Sequence, residues 1–222
     1  MRPKAILFDA GGTMVHIDPE LLGDLLEPVA GTRPPPELVW ESFHRCVAEF
    51  SPGLARDWEL GWPRRYLELC GIEGQAAVDA FLSVRGLFVA PIPGARDALE
   101  VLREAGIRAA AVSNSDGGAR YSLERAGLLD LFEFVVDSHE VGVEKPDPAI
   151  FRIALDRLGL PAERVWHVGD SYFHDIGGAR AAGLAEAILV DPLGLAPEDQ
   201  LRVGSVAELP PLILGGPAAS SG

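Results

Sequence analysis

Four times beyond residue 100 of this chain a helix-like segment stops on a glycine followed by a large aliphatic residue: Gly106-Ile107, Gly127-Leu128, Gly159-Leu160 and Gly183-Leu184. Glycine takes the left-handed turn that lets the last helical carbonyls be capped, and the aliphatic residue after it packs back on the helix. Ahead of these stops, Ala95, Ala98, Leu99 and Leu102 fall at helical spacing, as do Ile150, Ile153, Ala154 and Leu158; residues 120–126 and 176–182 also read as helices. Short apolar runs alternate with them at 107–112, 134–136, 165–168 and 187–190. Such alternation predicts a parallel sheet covered by helices on both faces, an α/β doubly wound, Rossmann-like core. Ala5-Ile6-Leu7-Phe8 supplies its first strand.

Residues 15–90 read differently. No strong strand run occurs there, while Trp40, Phe43, Val47 and Phe50 recur at helical spacing, and Val78, Phe81, Val84 and Phe88 do the same. Arg33-Pro34-Pro35-Pro36 separates helices, because proline cannot continue one but suits the start of the next. The expectation is a smaller all-helical cap at 15–90, inserted into a core built from 1–14 and 91–214. Pro91-Ile92-Pro93-Gly94 makes the stiff reconnection, and 215–222 is expected to be a flexible tail. Trp40, Trp58 and Trp62 lie in the insertion and are expected mostly in its core, with one or two able to line a substrate entrance.

Charge and cysteine content narrow the function. A formal net charge of −14 over 222 residues argues against nucleic acid or an anionic membrane as a general partner. No apolar stretch approaches the ~20 residues of a membrane span, and the first strand starts too early to leave room for a cleavable leader. Cys46 and Cys70 lack zinc-like spacing and read as buried thiols in a reduced cytoplasm. Only Lys4 and Lys145 are lysines. A function that needs a lysine has those two to draw on, and Lys4 stands just before the first strand.

Sites in doubly wound sheets form beyond the carboxyl ends of the strands. That rule gathers Asp9, Ser113 with Asn114, and Asp170, each at the end of an apolar run, with Lys145 arriving on the loop before the helix that begins near Pro146–Ala149. Asp9 opens Phe8-Asp9-Ala10-Gly11-Gly12-Thr13, a strand delivering one carboxylate to a glycine-rich loop. A carboxylate so placed is a nucleophile, a metal ligand, or both.

These segments resemble the haloacid dehalogenase superfamily, most of whose members are phosphatases. The likeness spans the whole core, and the helical insertion is similar to that superfamily's cap. It implies that Asp9 is the nucleophile, Thr13 and Ser113 the hydroxyls of the first two motifs, and Lys145 the third-motif cation. Gly169-Asp170-Ser171 with Asp175 matches the fourth-motif acidic pair. The implied enzyme is a Mg²⁺-dependent hydrolase of a small phosphorylated metabolite, working through an aspartyl phosphate. Asp9, Asp170 and the backbone of Gly11 would hold the metal, with Asp175 direct or through water. Ser113, Asn114 and Lys145 would bind the phosphoryl group. His16 and His174 are expected to face solvent or support their loops.

One position departs from the pattern. Phosphatases of this superfamily usually carry a second aspartate two residues after the nucleophile, where this chain has Gly11. Its dehalogenases lack that aspartate too, so Ala10-Gly11 resembles them, though they generally lack the Gly-Asp pair kept here. A weakly catalytic or non-hydrolytic binding protein is a further alternative. Phosphonate-cleaving relatives need a cap lysine, and residues 15–90 contain none.

Overall fold

A computed structural model of the protein describes residues 2–50, 58–197 and 200–215. The first apolar run forms β1 (Ala5–Phe8), buried at every position. Two short strands, β2 (Val15–Ile17) and β3 (Phe88–Pro91), pair antiparallel with each other and stand outside the main sheet. The remaining strands, β4 (Arg108–Ser113), β5 (Val135–Asp137), β6 (Val165–Gly169), β7 (Glu186–Val190) and β8 (Arg202–Val203), join β1 in the order β5-β4-β1-β6-β7-β8. Every pairing in that sheet is parallel. The chain leaves β1 toward β4 on one side and β6 on the other, so the crevice for a site opens past Phe8.

Period-two alternation assigns each strand residue a face. Ile6, Phe8, Val168 and Ile188 pack on one side with Leu99, Leu102 and Leu123. Ala5, Leu7, Val165 and Leu189 pack on the other with Ile150, Phe151, Ala154 and Ile176. Each large aliphatic side chain so buried contributes about 1.5–3 kcal/mol. The expected doubly wound α/β core is therefore present, with β8 added from a two-residue run too short to read in the sequence.

The insertion holds α1 (Pro19–Ala30), α2 (Pro36–Phe50), α3 (Trp58–Leu69) and α4 (Gln75–Ser83). Asp18 starts α1 by accepting from the Glu20 and Leu21 amides, and Gly31 ends it in the left-handed conformation. These helices enclose a separate apolar cluster that includes Leu22, Phe43, Trp62, Tyr66 and Val78. The side chain of Trp58 and the tail from 216 onward lie outside the described residues.

The insertion is not helical throughout, because β2 and β3 form a ribbon at its base. Phe88 was expected on a helical face with Val78, Phe81 and Val84. Instead α4 ends at Ser83, Gly86 adopts φ 80°, and Phe88 enters β3 opposite Ile17. The backbone is already extended at Val84, the left-handed Gly86 keeps a helix from resuming, and the bulky run Leu87-Phe88-Val89 suits a strand.

In the core, α5 (Ala95–Glu104), α6 (Ala119–Arg125), α7 (Ser138–Val141), α8 (Pro148–Leu158), α9 (Gly178–Ala181) and α10 (Leu209–Leu214) flank the sheet. A π-helical turn, Tyr172–Gly177, precedes α9, so the helical segment expected at 176–182 begins earlier. Among the described residues no helix is long and apolar enough to cross a membrane.

Candidate active site

Strand ends deliver the site. Asp9 follows β1, with its amide donating to the Val168 carbonyl at 2.8 Å. Ser113 closes β4 and Asp170 follows β6. Lys145 reaches in from the loop before α8, and its ammonium donates to Asp9 Oδ1 and Asp175 Oδ1, both at 2.6 Å. The Lys145 backbone is itself clamped: Asn114 Oδ1 accepts from its amide at 2.7 Å, and Asn114 Nδ2 donates to its carbonyl at 2.9 Å. Residues more than a hundred positions apart thus share one centre.

Asp175 is the most heavily bonded member. Besides Lys145, its Oδ1 meets His167 Nε2 at 2.9 Å, and its Oδ2 accepts from the Ser171 amide at 2.9 Å. Thr13 Oγ1 approaches Asp170 Oδ1 only to 3.5 Å, a weak contact. Asp170 Oδ2 is buried with no hydrogen-bond partner. The glycines beside these groups have no room for a side chain. A Cβ on Gly12, where φ is 78°, would fall 2.2 Å from Asp170 Oδ2, and one on Gly169 would fall 2.2 Å from Asp175 Cγ.

Burial sets the electrostatics. It pushes the Asp9 carboxyl above its ordinary range, and the Lys145 charge pulls it partly back. Asp170 is raised well above that range by burial, with Asp9 and Asp175 adding repulsion. At Asp175 burial works the same way, but the Lys145 charge and the His167 bond outweigh it and hold the carboxylate well below its usual value. Burial opposes the Lys145 charge, yet Asp175 and Asp9 raise its pKa. With all three carboxylates ionised, the single ammonium would leave the centre net negative, and that repulsion is part of what raises Asp9 and Asp170.

Such a centre suits a hard cation. Asp9, Asp170 and Asp175 each offer an oxygen, all within 4.8 Å of one another. The donor set is oxygen only, which matches Mg²⁺, and the unbonded Asp170 Oδ2 is the oxygen most in need of a partner. Asp175 has both oxygens engaged by the protein, which fits contact through water better than direct ligation.

A cavity of about 940 Å³ opens above these groups. The core lines it with Asp9, Gly11, Ser113, Asn114, Lys145 and Asp170, and the insertion with Phe43, Phe81, Arg85 and Phe88 among others. His174 also reaches this wall, with Nδ1 3.1 Å from Ser171 Oγ. His16 is half-buried, its Nδ1 2.8 Å from the Ile17 carbonyl.

Several residues of this centre were not singled out in the sequence. His167 sits fully buried on a sheet face otherwise filled by Leu7, Val165 and Ala187. One polar residue on an apolar strand face is a readable sign of a buried partner. Ser115 Oγ donates to Asp137 Oδ2 at 2.9 Å and accepts the amides of Gly117, Gly118 and Ala119, fixing the loop after β4.

Residues 3–183 match the family model of the haloacid dehalogenase-like hydrolases. Phosphoglycolate phosphatase of Rhodospirillum rubrum is 34% identical over 213 residues, covering 92% of this chain and 86% of that one. Haloacid dehalogenase-like hydrolase domain-containing protein 3 of Danio rerio is 34% identical over 138 residues, 60% of this chain. The match spans 57% of that relative's length. A solved 2-haloacid dehalogenase of Pseudomonas syringae aligns with a TM-score of 0.60 and 28% identity, covering 96% of this chain and 98% of that one. The chain belongs to the haloacid dehalogenase-like hydrolases.

Proposed function

We propose that this hydrolase is a Mg²⁺-dependent phosphatase of small phosphate monoesters, with residues 15–90 acting as a cap over a core of 1–14 and 91–214. The observation that carries the reading is the Lys145 ammonium bridging Asp9 and Asp175 beside the unbonded Asp170 Oδ2. Asp9 and Asp170, with the Gly11 backbone, would hold the metal, and Asp175 would contact it through water. When bound, Mg²⁺ supplies positive charge that lets an anionic nucleophile approach an anionic ester.

The protein's own residues supply the rest. An Asp9 carboxylate oxygen attacks phosphorus, the leaving oxygen departs, and water then hydrolyses the aspartyl phosphate. Lys145 fixes the attacking carboxylate and, with the Ser113 hydroxyl, stabilises the charge redistributed over the phosphoryl oxygens. Thr13 supports Asp170. Asn114 lines the cavity, but both its polar atoms are committed to Lys145, which gives it a positioning role. The likeness to a phosphoglycolate phosphatase supports a small phosphorylated substrate, and the reading places the enzyme in the cytoplasm.

Dehalogenation is the second reading, favoured by Ala10-Gly11 and by the likeness to a 2-haloacid dehalogenase. One assay separates them. Phosphate release from a panel of esters is measured with and without Mg²⁺, beside halide release from 2-haloacids. Mg²⁺-dependent phosphate release, lost in Asp9→Asn by roughly 10⁴-fold or more, is expected. Metal-independent halide release would decide for the alternative. A folded protein giving neither would be a binding protein.

A further inference from the structure

In an in-line displacement the leaving oxygen lies opposite the attacking carboxylate. The space that could hold that oxygen is the cavity that Asp9 lines together with side chains of residues 15–90. Among the described cap side chains lining the cavity, Arg85 alone ionises, and a guanidinium does not give up a proton. Phe43, Phe81 and Phe88 are hydrocarbon. The loop after β1 offers no acid either: Gly11 has no side chain, and a Cβ there would meet the Phe88 ring at 3.3 Å. Phe88 itself packs edge-to-face on Phe43, with centroids 5.4 Å apart. On the core side, Asp116 is paired with Arg85 at 3.1 Å, Glu144 stands exposed to solvent, and His174 has its Nδ1 3.1 Å from Ser171 Oγ.

We propose that the substrates are aryl phosphates, in which the leaving oxygen is attached to an aromatic ring that packs against Phe43 and Phe88. The inference rests on the phosphatase reading above. An Asp9 oxygen bonds to phosphorus while the phosphorus–aryl oxygen bond breaks, and the electron pair stays with the ring as a phenolate. Delocalisation stabilises that anion, so it needs no proton from the protein and takes one from solvent after release. Water then adds to phosphorus, the Asp9 carboxylate departs with its electron pair, and the water's proton passes to the phosphate product. An alkoxide lacks such stabilisation and would need a proton, which neither Gly11 nor the described cap side chains supply. Aromatic rings offset or edge-on to the leaving group add binding at the same place.

Wild-type enzyme with Mg²⁺ is assayed on 4-nitrophenyl phosphate, phenyl phosphate, tyrosine O-phosphate, glycerol 3-phosphate and phosphoglycolate. Within the aryl esters kcat/KM is expected to rise with the acidity of the phenol. Phenyl phosphate should exceed glycerol 3-phosphate by about 10²-fold or more, the size of missing general-acid help. Phe43→Leu and Phe88→Leu should each raise KM for phenyl phosphate about threefold. The inference is overturned if phosphoglycolate or glycerol 3-phosphate is hydrolysed as efficiently as phenyl phosphate, in a reaction that Asp9→Asn abolishes. That result would leave the phosphatase reading intact and point to a proton donor in the cavity, with His174 the first to replace. No Asp9-dependent phosphate release, even from 4-nitrophenyl phosphate, would instead remove the phosphatase reading itself.

Discussion

The two walls of the cavity are built on opposite electrostatic terms. On the core side, three carboxylates and an ammonium are packed together, with Lys145 and Asp175 almost wholly buried. On the cap side the buried cluster is neutral. Tyr66 stacks on Trp62 at 5.2 Å, and burial pushes the Cys46 thiol up to about 12 and the His44 imidazole down to about 4. Buried charge is costly unless it is paired, so the core's centre holds only as a whole. Neutral packing tolerates exchange of one side chain for another of similar volume. On the proposed reading, a hydrolase divided this way could change what it binds on the side of residues 15–90 without disturbing the core carboxylates and Lys145.

Removing the one cation from the core centre tests that division most severely. Lys145→Met keeps the bulk but leaves Asp9, Asp170 and Asp175 facing one another. Breaking a buried pair in this way costs about 3–5 kcal/mol, read as a fall in the urea midpoint at pH 7. Its pH dependence should also steepen, because Asp175 loses the cation that lowers it while Asp9 and Asp170 are already raised by burial. In wild type, Asp175 is held below its unfolded value, so its stabilisation is present above pH ~3.9 and lost as pH falls through the lower folded value. In the variant the folded carboxylates bind protons more readily than the unfolded ones. Its stability should therefore rise more steeply than that of wild type as pH drops from 7 to 5. A variant as stable as wild type across that range would mean that the charges are not mutually dependent.

The cap should respond to acid for a different reason. His44 lies edge-on to Trp40 at 4.7 Å and to Phe43 at 5.5 Å, and burial is the first cause of its lowered pKa. The fold favours its neutral form. The resulting stabilisation is complete above the unfolded value of ~6.5 and is lost as pH falls through about 4. Its full size is roughly 3 kcal/mol. His44→Phe preserves the ring contacts and removes the titration. Thermal midpoints followed from pH 7 to 4.5 should decline in wild type and decline less in the variant. Identical slopes would show that the acid response belongs to the core.

What the sequence disclosed follows the same division. Asp9, Ser113, Asp170 and Lys145 were legible because a parallel sheet forces strand ends together, and because lysine is nearly absent elsewhere. The Gly-aliphatic stops fixed the core helices independently of propensity. The ribbon of β2 and β3 was not legible, since three or four residues carry too little periodicity to separate strand from helix. Phe88 accordingly looked like the last residue of a helical face. His167 and the double bond from Asn114 to the Lys145 backbone depend on register and on loop conformation. Local pattern carries no record of either. The opposition of Phe88 and Gly11 spans the cap boundary, where only a three-dimensional fold brings the two positions together.

That opposition gives the next test. Gly11→Asp places a carboxyl where a leaving oxygen could take a proton, and no left-handed φ forbids a side chain there. The Phe88 ring, 3.3–3.4 Å from the new Cβ, must yield by a few tenths of an ångström. Hydrolysis of glycerol 3-phosphate is expected to rise about tenfold, below the full range of general acid catalysis because the ring restricts the carboxyl. Adding Phe88→Leu should raise it further. A folded Gly11→Asp enzyme with no gain on alkyl esters would mean that acid is not what the site lacks.

The smallest expected effect comes from Arg85, the one charged residue that the described part of the insertion contributes to the shared wall. Arg85 Nε meets Asp116 Oδ2 at 3.1 Å, joining the loop before β3 to the loop after β4, and the two side chains are 76% and 51% exposed. An ion pair so open to water holds the two parts together only weakly. Arg85→Ala is expected to change KM by about two- to fivefold at low salt and leave kcat unchanged. The change should disappear near 1 M salt, where the screening length is ~3 Å. Asp116→Asn should give the same effect, and the double variant no more than either alone, because both remove one interaction. A large fall in kcat for Arg85→Ala with Asp116→Asn unaffected would instead put the guanidinium on the substrate. The cap would then supply charge to the reacting centre, and the separation of a neutral binding wall from a charged chemical one would fail at this residue.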